Sequence, residues 1–165
     1  MRRVPDITVD SGAGTSATHA RTFTNCSVEP SPGSKAGQYF IGANDGKMPN
    51  IGKLKPQLLL ENGALGNFPY QVADGIRENG PLLAVSDVNA KGNPTWFDGE
   101  KSYIIPGGAP QVQELRNLIQ QVQLKVPLHL KNGVFKMHAW EPNMANLQPP
   151  PAQPAEAVFA RPGKK

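Results

Sequence analysis

The triplet Asp10-Ser11-Gly12 is the part of this sequence best suited to chemistry, because it follows the β-branched run Ile7-Thr8-Val9 directly. β-Branched residues favour a strand, and a glycine two residues after the aspartate permits a tight turn. The carboxylate of Asp10 is therefore expected at a strand end, on a turn that a second backbone can approach closely. Two such carboxylates about 3 Å apart cannot both ionise, so they share one proton. The charged member can then take a proton from water while the neutral member protonates a leaving amine, which is hydrolysis of a peptide bond. Ser11 adds a hydroxyl able to hydrogen-bond across to the second loop. The triplet alone is also what an ordinary turn looks like, so its context has to carry the reading.

Other chemistries are thinly represented. His19, His129 and His138 have no cysteine or carboxylate at metal-ligand spacing, and no metal or cofactor is expected. Ser11, Ser16 and His19 fall close together, but no orienting acid or oxyanion loop accompanies them. Gly107-Gly108 is too short for a phosphate loop. Cys26 is the single cysteine, which excludes an internal disulfide and a cysteine-rich zinc site. The triplets Ala73-Asp74-Gly75 and Phe97-Asp98-Gly99 lack a hydroxyl residue between aspartate and glycine. One Asp-Ser-Gly loop per chain means that the second carboxylate must come from a second copy, across a two-fold axis.

The elements that would position Asp10 are short strands and turns. Residues 38–41 and 47–51 flank Asn44-Asp45-Gly46, and Asp-Gly is a strong hairpin signal. Residues 58–60 and 68–72 read as strands, and 95–97 with 102–105 as a hairpin-like pair. Pro81 opens a stretch over 81–88 that predicts a short helix, stopped by Gly92. Val112, Leu115, Leu118, Ile119 and Val122 recur at helical spacing, which predicts one amphipathic helix half-buried on a sheet. Residues 128–130 and 134–140 flank Asn132-Gly133, another hairpin turn. The fold class is mostly β, with one or two helices.

Composition agrees with that class. Glycine and proline number 17 each in 165 residues, and charged residues make up only 18%, which disfavours a coiled coil or helical bundle. The net charge of +4 is concentrated at the ends, in Arg2, Arg3, Arg161, Lys164 and Lys165. Between residues 6 and 160 there are 12 basic against 13 acidic residues, which argues against a surface that tracks nucleic-acid phosphates. No apolar run reaches membrane-span length and the N-terminal stretch has no secretory character, so an intracellular location is expected. Residues 1–5 form a basic lead and residues 6–140 the folded domain. Residues 141–165 contain six prolines and read as an extended tail through which an assembly partner could bind.

Beyond the triplet, Ile7-Thr8-Val9-Asp10-Ser11-Gly12-Ala13 resembles the active-site signature of retropepsin-like aspartic proteases, particularly those of copia-type retrotransposon polyproteins. The stretch Tyr39-Phe40-Ile41-Gly42-Ala43-Asn44-Asp45-Gly46-Lys47-Met48-Pro49-Asn50-Ile51-Gly52 is similar to the flap region of that family. Phe68 to Ala73, followed by Pro81-Leu82-Leu83-Ala84-Val85-Ser86-Asp87-Val88-Asn89-Ala90-Lys91-Gly92, resembles its later strand and apolar segment. Ala84 stands where retroviral members carry glycine, and the stretch after Gly92 exceeds a minimal retropepsin. The resemblance implies an acid-protease barrel and a homodimer with Asp10 as the catalytic group of each protomer. It further implies loop support from Ser11, Gly12 and Ala13, a flap tip of Asn44, Asp45 and Gly46, and a polypeptide substrate, the parent polyprotein. The alternative is a non-catalytic descendant of the fold that serves as a scaffold subunit.

Overall fold

The computed structural model describes residues 2–42, 45–99, 101–123 and 125–137. Asn44, His138, Trp140 and the tail 141–165 lie outside the described residues. The described chain is mostly β. Its first strands are β1 (Thr8–Asp10), β2 (Ala17–Thr18), β3 (Tyr39–Ile41), β4 (Lys47–Leu54), β5 (Gln57–Leu59) and β6 (Leu65–Asn67). They are followed by β7 (Tyr70–Ala73), β8 (Leu82–Ala84), β9 (Thr95–Trp96), β10 (Tyr103–Ile104), β11 (His129–Lys131) and β12 (Val134–Lys136). Helices α1 (Pro32–Lys35), α2 (Val85–Ala90) and α3 (Gln111–Gln121) complete the set.

One mixed sheet organises the molecule, in the order β1-β8-β2-β7-β4-β3. Strands β1 and β8 run parallel, as do β2 and β7, while β4 is antiparallel to both β7 and β3. From Asn50 to Leu54 strand β4 alternates buried and exposed residues, as a strand with one face on a core must. That core gathers Phe23, Leu54, Leu58, Tyr70, Val72, Leu83 and Val88. The rings of Phe23 and Tyr70 lie 5.4 Å apart at its centre.

Four local expectations are revised. Residues 81–88 do not form one helix: β8 occupies 82–84 and α2 begins only at Val85. Leu83 and Ala84 are 6% and 0% exposed, so the sheet beside β1 claims them before the helix can start. Strand β2 was not foreseen, because two residues are too short to show a period, yet it pairs with both β7 and β8. Helix α1 was not foreseen either, although its start is written locally. Ser31 and Ser34 satisfy each other's backbone N–H groups reciprocally, with Pro32 opening the first turn. Helix α3 forms where its spacing predicts but buries only Val112, leaving Leu118 and Ile119 at 55% and 42% exposure. The described chain thus holds three helices rather than one or two.

The remaining strands pair locally, β5 with β6, β9 with β10 and β11 with β12. In the last hairpin Asn132 and Gly133 both take left-handed φ values, 53° and 77°, as the Asn-Gly turn predicts. No helix among the described residues is long and apolar enough to cross a membrane.

Candidate active site

Asp10 is the last residue of β1, opposite Ala84 of the parallel strand β8. β1 is an edge of the sheet. The carboxylate folds back over its own turn, and Asp10 Oδ1 accepts the Gly12 N–H at 2.7 Å. A Cβ on Gly12 would lie 3.3 Å from that oxygen, so a residue without one lets the turn close tightly. Ser11 and Gly12 are exposed, while Asp10 and Ala13 are half-buried. The loop therefore presents its tip outward and one carboxylate oxygen inward.

Behind the tip, the loop is held by two residues that the sequence did not single out for this role. Helix α2 has Ala84 at its N-cap, with no side chain to cap it. Ser16 instead ties the strand end to the helix start: Ala84 N–H donates to Ser16 Oγ at 3.0 Å. In return Ser16 N–H donates to Asp87 Oδ2 at 2.6 Å, and Thr15 Oγ1 donates weakly to the same oxygen at 3.4 Å. The Ser16 carbonyl accepts Gln71 N–H at 2.9 Å. The result is a reciprocal pair of hydrogen bonds between two distant stretches of chain, one to the N-cap N–H and one to the side chain of the third helical residue. Its effect is to fix the far end of the Asp10 loop to the strand that flanks Asp10. Sequence inspection weighed Ser16 only as half of a Ser-His pair; the available signal was a helix opening at alanine with an aspartate at its third position.

The β3–β4 turn is closed by its own backbone. Gly42 N–H donates to Gly46 at 2.9 Å, and Asp45 N–H donates to Gly42 at 3.0 Å, closing the β3–β4 turn with Asp45 at a φ of 60°. Strand β3 is the edge of the sheet opposite β1, and the tip residue Asn44 lies outside the described residues. A different hairpin sits on the loop. The β11–β12 turn lies against Gly14: a Cβ on Gly133 would clash with the Gly14 carbonyl oxygen and come within 2.8 Å of its Cα. A Cβ on Gly14 would meet the Asn132 carbonyl oxygen at 3.2 Å. The contact is backbone on backbone, and Gly133 leaves no room for a side chain.

Two large cavities among the described residues, about 630 and 540 Å³, are both lined by Asp87 and Ser16, and neither is lined by Asp10. Of the histidines, His19 accepts the Arg21 N–H on Nδ1 at 3.1 Å, which is a local turn contact. No group of three or more His, Cys, Asp or Glu among the described residues could hold a metal ion. Burial pushes the half-buried Cys26 thiol up from its ordinary value, a hydrogen bond with the Lys55 backbone offsetting part of that shift.

No protein-family model matches the chain, and no curated protein or solved structure matches it.

Proposed function

We propose that the chain is one protomer of a retropepsin-like aspartic endopeptidase, completed by the Asp10 loop of a second copy. The observation that carries this reading is the Asp10 turn. A carboxylate ends an edge strand on a turn closed by Gly12, with Ser11 exposed at the tip. Two such tips can meet about a two-fold axis without removing any other element of the sheet.

In the assembled pair one Asp10 is charged and takes a proton from the attacking water. The other is protonated and donates to the leaving amine as the tetrahedral carbon collapses. Ser11 of each chain bonds across the axis and fixes the separation of the carboxylates, and Gly12 admits the close approach. Asn44, Asp45 and Gly46 close over the bound polypeptide and exclude water. The substrate is an extended polypeptide, the parent polyprotein of this chain, and the Pro-rich tail is the place for an assembly partner.

The test is peptide hydrolysis by the wild type and by Asp10→Asn, with sedimentation to report the dimer. The amide removes the titratable proton, and loss of the acid–base contribution alone is worth about 10²–10⁴-fold. Cleavage should rise with dimer concentration and vanish in the variant, with the dimer retained. Undiminished cleavage by Asp10→Asn refutes the assignment.

A second reading, a non-catalytic scaffold of the same fold, is favoured by one observation: Asp10 lines neither large cavity. A wild-type dimer without hydrolysis of any polypeptide selects it.

A further inference from the structure

We propose that the β11–β12 hairpin is an autoinhibitory strap, seated on the Asp10 loop where an extended polypeptide substrate must lie. The proposal rests on the protease reading of Asp10. The open floor beside the carboxylate runs along the loop itself, because β8 flanks Asp10 on its paired side while Ser11 and Gly12 are exposed. A substrate carbonyl placed at Asp10 belongs to a chain that advances about 3.3 Å per residue. Within four residues such a chain crosses the whole loop, and Gly14 is the shoulder it meets. That shoulder is where the Asn132-Gly133 turn is seated, too close for a side chain at position 133.

The strap is built to lift. All three residues of β11 are exposed, and Leu128 and Leu130 stand 62% and 56% exposed. Only Val134 and Phe135 of β12 are half-buried. A hairpin joined to the body by so little apolar burial opens at low free-energy cost compared with the core. Its glycine-on-glycine seat gives a specific closed position without a deep anchor.

A competing strap raises the apparent KM in inverse proportion to the fraction of time it is open and leaves kcat alone. If it is closed about nine-tenths of the time, the penalty is about tenfold. The experiment compares the full-length wild type with Gly133→Val. A β-branched residue at that left-handed φ, against the Gly14 backbone, cannot keep the seat. Amide exchange at residues 14–16 reports whether the strap has lifted, and urea unfolding reports whether the body stays cooperative. The expected result is faster exchange at 14–16 with KM about tenfold lower and kcat unchanged. Faster exchange with KM unchanged overturns the strap while leaving the protease reading intact. Unchanged exchange overturns it as well, since the turn then protects nothing. No hydrolysis by either protein, at concentrations where both are dimers, overturns the protease reading and the strap with it. Asn132→Gly, which keeps the turn's backbone freedom, should behave as wild type in all three measurements.

Discussion

Asp87→Ala removes the one acceptor that the Ser16 N–H has from the α2 side, and its cost can be worked from the contacts. Ser16 is 1% exposed, and its N–H lies 2.6 Å from Asp87 Oδ2. A hydrogen bond to a charged acceptor contributes about 1.5–3 kcal/mol, and an orphaned buried donor costs about 1–3 kcal/mol. These are two views of one loss, not two losses to be added. The Thr15 hydroxyl at 3.4 Å is too long to add much. Asp87 is itself half-buried, so water reaches part of the vacated space. The expected destabilisation is therefore about 2 kcal/mol. With an m-value of about 1–3 kcal/mol/M, that lowers the urea midpoint by about 1 M at unchanged slope. Asp87→Asn keeps an oxygen at the same place and should cost about half as much, because only the charge on the acceptor is lost. The loop behind Asp10 should loosen in parallel, seen as faster amide exchange at residues 13–16. If Asp87→Ala falls within about 0.5 kcal/mol of wild type, the Ser16–Asp87 bond does not hold the loop. Equal damage from Asn and Ala would show that the acceptor's charge, rather than the mere presence of an oxygen, carries the bond.

Tyr70 offers the opposite case: its hydroxyl is buried with no hydrogen-bond partner among the described residues, so Tyr70→Phe should be neutral or stabilising by up to about 1 kcal/mol in urea unfolding. Burial also raises the Tyr70 hydroxyl above the ordinary value of 10. The unfolded chain then releases its proton first, so stability should be full below pH 10 and fall as pH rises beyond it, a slope that Tyr70→Phe removes. A spectrophotometric titration comparing the wild type with Tyr70→Phe should show the Tyr70 contribution only well above the ordinary range. The Cys26 thiol, raised by burial, should react with a disulfide reagent more slowly in the folded protein than in urea at the same pH; equal rates would count against that burial.

Much of the fold was legible because its signals are local. The β-branched run before Asp10, the Asn132-Gly133 turn and the helical spacing over 112–122 each act within a few residues, and the structure forms an element at each. The segment 81–88 misled because proline at a first helical position and a buried parallel strand begin with the same apolar residues. Only the neighbouring strand, more than 70 residues away at Thr8–Asp10, decides between them. Helix α3 misled in the other sense: its spacing makes an apolar stripe, but a stripe says nothing about whether a surface arrives to cover it.

The candidate site divides along the same line. By itself the sequence determined that Asp10 ends a strand on a glycine turn, and that one chain holds only one such loop. Both follow from backbone sterics and from counting. The tertiary structure alone decided what grips the loop. Ser16 and Asp87 are 71 residues apart, and hydrogen bonds at that separation leave no periodic trace in a single sequence. It also decided which hairpin lies on the loop. Two turns with similar local signals, Asp45-Gly46 and Asn132-Gly133, compete for that place on paper, and sheet order sends the first to the opposite edge. Turn chemistry specifies that a hairpin forms, whereas where its tip lands depends on every strand between, and so belongs to the folded chain.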